Sequence, residues 1–181
     1  DKVCQTIRRW LDEGRTALPI SINVSRADIY SMDVVRILKG MIEKYNISTE
    51  YIEIEITESA IIENTVIVEL IQKFHDAGFD ILLDDFGSGY SSLNMLKDAP
   101  IDVLKLDMAF MRNLDNENER NNIIVESIVE LSKKLNIPVV VEGVESEKQV
   151  NFLKSIGAEV IQGYYFSKPI PTDEYEKLIE E

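Results

Sequence analysis

Two carboxylates stand side by side at the end of an apolar run, Ile81-Leu82-Leu83-Asp84-Asp85, just ahead of Phe86-Gly87-Ser88-Gly89. Carboxylates at the end of a buried strand are costly unless they are paired or hold a cation. Hard divalent cations prefer carboxylate oxygens. Gly87 and Gly89 let the backbone turn sharply beside such a site, although an acidic turn between a strand and a helix accounts for the same letters. The pair has company. Asn23, Glu55, Lys105, Glu142 and Gln162 each sit at or near the end of another short apolar segment. Singly, each fits a solvated strand end. Together they point to one end of a sheet furnished with oxygen donors and one ammonium.

The elements that must carry these residues follow from periodicity. Val3, Ile7, Trp10 and Leu11 predict a helix closed by Gly14, and Cys4 falls on its apolar face as a core residue. Ile20, Ile22 and Val24 alternate with polar residues and predict a strand. Val34, Leu38, Met41, Ile42 and Tyr45 stripe a second helix with Asp33 as N-cap. A strictly alternating strand over Tyr51–Glu58 precedes a helix from about Thr65 to Ala77, closed by Gly78. The Asp84-Asp85 strand comes third. A short helix is expected over Ser92–Asp98, a fourth strand over Ile101–Asp107, and a polar loop over Asp115–Glu119. A long helix then ends near Asn136, and Pro138–Gly143 reads as a parallel strand buried on both faces. A helix over Lys148–Ile156, a short strand over Val160–Gly163 and a final helix capped by Thr172 complete the pattern.

Six β/α alternations with short connections predict an α/β fold with a parallel sheet, open or closed as a barrel. The barrel is favoured because chemically capable residues end every strand. Barrels gather their sites at that face, whereas an open sheet uses mainly one switch point.

Composition narrows the function classes. The chain has 181 residues, 45% of them hydrophobic and 29% charged, as a soluble protein does. No apolar run is long enough for a membrane span, and the amphipathic, charged N-terminus is unlike a signal peptide. One Cys excludes an internal disulfide framework and fits a reducing cytoplasm. A net charge of −14 argues against binding of DNA or RNA duplexes. A phosphate-bearing small ligand remains compatible if cations or a local lysine offset the field.

Read together, Ser21-Ile-Asn-Val-Ser25, Glu55-Ile-Thr-Glu58, Asp84-Asp-Phe-Gly-Ser-Gly-Tyr-Ser-Ser-Leu93, Lys105-Leu-Asp107, Glu142-Gly-Val-Glu145 and Gln162-Gly-Tyr-Tyr-Phe166 with Lys168-Pro169 resemble the EAL-domain phosphodiesterases that linearise cyclic di-GMP. The segments keep the family's order and span nearly the whole chain. The family's Glu-Ala-Leu motif and the Gln-Pro-Ile segment ahead of it are absent. The expectation is therefore a single EAL-like domain over residues 1–181 lacking its N-terminal strands: a TIM-like (β/α)8 barrel, incomplete, with about six β/α units. A truncated chain explains this more simply than a degenerate domain, because every downstream motif is intact.

The resemblance implies a two-metal site. By motif position Asn23, Glu55 and Asp84 would ligate the first ion, and Asp84 would be shared with a second that Asp85 and Glu142 complete. Two cations sharing a ligand can activate water and stabilise the entering and leaving oxygens of a phosphodiester. Zinc would favour His or Cys, of which the chain has one each, so Mg²⁺ or Mn²⁺ suits the set. Lys105 resembles the family's lysine that holds the attacking water. A strand-end salt bridge to Asp107 is its plainer role. Gln162, with Asn23 and Lys105, would contact substrate, and Glu58 would fix the loop after Asp85. Ser88–Ser92, including Gly89, would form a mobile lid, and Asp107 and Glu145 would support the ligands from behind. His75 reads as a surface residue at a helix C-terminus, away from the chemistry.

The expected activity is metal-dependent hydrolysis of cyclic di-GMP to linear pGpG in the parent domain, in bacterial second-messenger signalling. This chain, lacking the Glu-Ala-Leu glutamate, is expected to be impaired. The alternative is a module that binds cyclic di-GMP or mediates dimers without turnover. An unrelated barrel enzyme of the enolase kind shares strand-end carboxylates but does not predict the Asn23, Lys105 and Gln162 pattern. The chain is expected in the cytoplasm, tethered to a membrane only through other domains. Two missing strands would leave edges at Ile20–Val24 and Val160–Ile161, and the opened interior, lined by residues such as Ile22, Ile54, Leu82 and Val140 or their neighbours, should drive self-association, most simply as a homodimer.

Overall fold

In Ile52-Glu53-Ile54-Glu55-Ile56-Thr57 every second side chain is a β-branched isoleucine, and the segment forms a strand whose isoleucines are at most 1% exposed. That strand is central to the first of two units, Asp1–Lys105 and Leu106–Glu181, in a computed structural model that describes residues 1–62, 65–88, 96, 99–114 and 119–179.

The first unit runs α1 (Lys2–Asp12), β1 (Ile20–Asn23), α2 (Arg26–Ser31), α3 (Val34–Tyr45), β2 (Ile52–Thr57), α4 (Glu58–Ile62), α5 (Thr65–Asp76), β3 (Asp80–Phe86) and β4 (Val103–Leu106, its last residue opening the second unit). Strands β1, β2 and β3 pair in parallel, with Asn23 opposite Glu55 and Glu55 opposite Leu82. Asp102 donates its backbone N–H to Ile81 O at 2.9 Å and starts β4 beside β3.

Alternation sorts these strands into two faces. Ile52, Ile54, Ile56, Ile81 and Leu83 are buried, and β3 lies against α5, whose Ile67, Ile71 and Phe74 are fully buried. The other face carries Ser21, Asn23, Glu53, Glu55 and Leu82. The expectation names Ile22, Ile54 and Leu82 or their strand neighbours, and the register separates these three. Register puts Ile22 and Ile54 level with Ile81 on one face, and Leu82 level with Glu55 on the other.

In the second unit a 3₁₀ turn (Met108–Asn113) precedes α6 (Glu119–Leu135), β5 (Val139–Val141), α7 (Glu147–Ser155), β6 (Val160–Ile161) and α8 (Thr172–Leu178). β5 and β6 are parallel, with Val140 opposite Val160 and Val141 opposite Ile161.

Several local expectations shift. Helix α2 was not anticipated. Its start is a capping box in which Ser25 Oγ accepts from Asp28 N–H while the Asp28 carboxylate accepts from Ser25 N–H. The Arg26 guanidinium donates to Ser59 O and ties α2 to α4. Glu58, expected in a strand, is the first residue of α4. Thr172 is the first residue of α8 rather than its cap; Pro171 holds that place without a side-chain bond. Asp33 caps α3 as expected, accepting from Arg36 N–H at 3.1 Å. Cys4, Ile7 and Trp10 are buried along α1, and burial pushes the Cys4 thiol above its ordinary value. The expected helix over Ser92–Asp98 (apart from Leu96) and the Asp115–Asn118 part of the polar loop lie outside the described residues.

Candidate functional site

In the first unit three strands each send one charged side chain to the same point. Lys105 Nζ, from β4, lies 2.9 Å from Glu55 Oε1 of β2 and 2.8 Å from Asp84 Oδ1 of β3. The three side chains are 8%, 11% and 14% exposed. At that burial a charge survives only with partners, and here one ammonium serves two carboxylates and leaves the trio with one net negative charge. Asn23, the last residue of β1, stands opposite Glu55 in register. Deeper on the same face Ser21 Oγ donates to Glu53 Oε2 at 2.9 Å.

Asp85 breaks the alternation. Its φ is +58°, a left-handed conformation that Asp tolerates better than most residues and that marks constrained sites. The chain then turns: Ser88 N–H donates to Asp85 O at 3.0 Å, and Gly87 has φ +92°. The sequence assigns this turn to Gly87 and Gly89. Asp85 shares it, and Gly89 lies outside the described residues. Gly87 N–H donates to Glu58 Oε2 at 3.0 Å. Glu58 is 1% exposed, and its other oxygen is buried with no hydrogen-bond partner among the described residues, which is costly for a carboxylate. Of the expected lid, residues 89–92 also lie outside the described set.

The second unit positions the remaining residues mostly through backbone. Glu142 follows β5, and its N–H donates to Leu106 O, the end of β4, at 3.1 Å. Gln162 follows β6. Its N–H donates to Val141 O at 2.8 Å, and its carbonyl accepts from Val144 N–H at 3.1 Å. Tyr165 N–H donates to Val144 O at 3.0 Å. These segments are in close contact: a Cβ on Gly163 would lie 2.1 Å from Val144 O, and one on Gly143, at φ +72°, would lie 2.3 Å from Met108 Cβ. Glu145 N–H donates to Gln149 Oε1 at 2.7 Å. Asp107 caps the 3₁₀ turn, accepting from Ala109 N–H at 2.6 Å.

The structure thus brings Glu55, Asp84 and Lys105 together, with Asn23 in the adjacent register position and Glu58 beneath the turn of Asp85. His75 is no bare helix end. Its Nε2 lies 2.7 Å from Asp102 Oδ2, which also accepts from Ile81 N–H at 2.7 Å. This stitch sits where β3 and β4 begin, away from the carboxyl ends that hold the trio. Gln149 was missed by sequence reading. Its signal was Ser146 three residues earlier, the spacing of a capping box.

Comparison with known proteins shows the family and the fold. The EAL domain family pattern matches residues 1–169. The cyclic di-GMP phosphodiesterase PdeR of Escherichia coli is 36% identical over 176 residues, 97% of this chain and 26% of that protein. The chain spans about a quarter of the length of the curated relatives it matches. The crystal structure of the EAL domain of Mycobacterium smegmatis DcpA superposes with a TM-score of 0.90 at 30% identity, over 99% of this chain and 81% of that one. A manganese and cyclic di-GMP complex of Klebsiella pneumoniae BlrP1 superposes with a TM-score of 0.82 at 27% identity, over 92% of this chain and 43% of that one. The fold is therefore that of these TIM-like (β/α)8 domains, here with six described strands.

Proposed function

The chain belongs to the EAL domain family, and we propose that its parent domain hydrolyses one phosphodiester bond of cyclic di-GMP, giving linear pGpG, in a cytoplasmic signalling protein. The observation that carries this reading is the buried trio of Glu55, Asp84 and Lys105 at the carboxyl ends of three strands. The relatives' names and the manganese and cyclic di-GMP complex of BlrP1 support it.

The donor set fits a hard divalent cation. It offers amide and carboxylate oxygens without His or Cys, in a place already built to concentrate negative charge. Asn23, Glu55 and Asp84 would hold one Mg²⁺ or Mn²⁺, and Asp84, Asp85 and Glu142 a second. When bound, such ions lower the pKa of water and neutralise the phosphate. The chain's own residues do the rest. Lys105, its head fixed by two carboxylates, donates to the attacking water and offsets the phosphoryl charge. Gln162, Asn23 and Lys105 would each contact substrate. Glu58 pins the turn that aims Asp85, while Asp107 and Glu145 brace the segments bearing Lys105 and Glu142. The water oxygen gives up a proton as it forms the new bond to phosphorus, one P–O ester bond breaks, and the released oxygen takes up a proton and becomes a hydroxyl of the linear product. His75, engaged with Asp102 at the other strand ends, takes no part.

A second reading, binding without turnover, rests on one observation: the sequence contains no Glu-Ala-Leu. The two are separated by incubating the 181-residue chain with cyclic di-GMP and Mn²⁺, with product followed by chromatography and binding by calorimetry. We expect binding with little or no pGpG from this chain, and robust pGpG from a parent domain that carries a Glu-Ala-Leu glutamate. A parent domain that binds but never turns over would overturn the enzymatic reading.

A further inference from the structure

Gln149 is 5% exposed, and its side-chain amide makes three hydrogen bonds to backbone. Its Oε1 accepts from Glu145 N–H at 2.7 Å and from Ser146 N–H at 3.0 Å, and its Nε2 donates to Met111 O at 2.9 Å. One buried amide thus joins the segment that follows Glu142 to the 3₁₀ turn that follows Asp107. A helix cap needs only the first half of this. In the ordinary capping box the N3 side chain accepts from the N-cap N–H, and Ser146 with Gln149 make that box. The bonds to Glu145 N–H and Met111 O are extra, and they bear on position.

The intervening loop has little other freedom to hold its place. Gly143 is left-handed and packs its Cα against Met108 of the same 3₁₀ turn, where a Cβ would lie 2.3 Å from Met108 Cβ. Val144 is clamped on both sides by Gln162 O and Tyr165 N–H. Gln149 closes the remaining end. The segment Glu142–Ser146 is therefore fixed at every residue but one by backbone bonds, and Gln149 supplies two of them.

We propose that Gln149 is a positioning residue for Glu142, acting through the Gly143–Ser146 loop and the Met108–Asn113 turn. The inference rests on the reading of Glu142 as a cation ligand. Groups that hold a ligand from behind are worth about 10- to 100-fold in metal affinity, and the Glu145 and Ser146 N–H groups, deprived of their acceptor, would let the loop move to find another.

The test is Mn²⁺ affinity of the full chain, read from the paramagnetic signal of free Mn²⁺, beside thermal unfolding of the same samples. Gln149→Leu removes all three bonds. Gln149→Glu keeps the acceptor and loses the donation to Met111 O. Glu142→Gln is the control for the ligand itself. We expect Glu142→Gln and Gln149→Leu each to weaken Mn²⁺ binding about tenfold or more, with Gln149→Glu in between. If Glu142→Gln binds Mn²⁺ like the unmodified chain, the ligand reading falls and the inference with it. If Glu142→Gln weakens binding but folded Gln149→Leu does not, Gln149 is a structural cap only and the inference alone is overturned. Should Gln149→Leu fail to fold, Gln149→Glu decides, and wild-type Mn²⁺ affinity in it counts against the proposal.

Discussion

Replacing Lys105 with Met keeps the length of the side chain and removes the ammonium that pairs with both Glu55 and Asp84. The two carboxylates are 11% and 14% exposed and sit 2.9 and 2.8 Å from the ammonium. A unit pair at 4 Å in a surrounding of effective dielectric near 20 attracts by about 4 kcal/mol, most of which desolvation offsets. Removing one partner is worse than removing both, because it leaves buried charge uncompensated, at a cost of about 3–5 kcal/mol. For a chain of this size each kcal/mol shifts the melting temperature by about 2–4 °C. Lys105→Met should therefore lower Tm by about 6–20 °C in a buffer with chelator. The sign test is a second substitution. Glu55→Gln should destabilise the unmodified chain, yet stabilise Lys105→Met, because there it removes a surplus charge. The assay is thermal unfolding of the four proteins followed by circular dichroism. A Tm loss below about 2 °C for Lys105→Met, or a Glu55→Gln effect of the same sign in both backgrounds, would refute the view that the ammonium holds these carboxylates.

Two further outcomes follow from other residues. The Ser25 hydroxyl, followed by its N–H, holds the Asp28 carboxyl below its ordinary value of 3.8. A depressed folded value contributes stability that is fully present above the unfolded value and is lost as pH falls through the folded one. The Asp28 carbon-13 titration should thus have its midpoint below 3.8, and Ser25→Ala should move it up toward 3.8; an unmoved midpoint would exclude the capping box as the cause. Strand β1 is paired with β2 alone in the first unit and β6 with β5 alone in the second, among the described residues, and Val160 of β6 is 48% exposed. Such edges invite pairing with a second chain, so light scattering should show self-association that Val160→Lys reduces. A stable monomer at micromolar concentration would count against it.

Much of this was legible in the sequence because β/α alternation imprints both periods on the chain. Ile52, Ile54 and Ile56 announce their strand by strict alternation, and Glu55, Asp84 and Lys105 stand out as charged residues in the C-terminal halves of apolar segments that form strands. What escaped notice depends on backbone angles and on bonds between distant segments. Nothing in the letters Asp84-Asp85 says that the second adopts φ +58°. The sequence left open whether Ile22, Ile54 and Leu82 or their strand neighbours share a face, because faces depend on register between strands, and the pairing of Asn23, Glu55 and Leu82 is set by the whole sheet. His75 could not be joined to Asp102 by local pattern, being 27 residues away. Helix α2 and the role of Gln149 were readable in principle, since Ser25 with Asp28 and Ser146 with Gln149 both have capping-box spacing.

The most direct measurement is formation of pGpG from cyclic di-GMP by the parent domain in Mn²⁺, compared with the same domain carrying Asp84→Asn. Asp84 is paired to Lys105 and is assigned to both cation positions, so its charge serves three partners. The account predicts ready, chelator-sensitive turnover by the unmodified domain and a loss of at least about 100-fold in Asp84→Asn, beyond what a supporting residue contributes. Turnover of Asp84→Asn at the unmodified rate would contradict it.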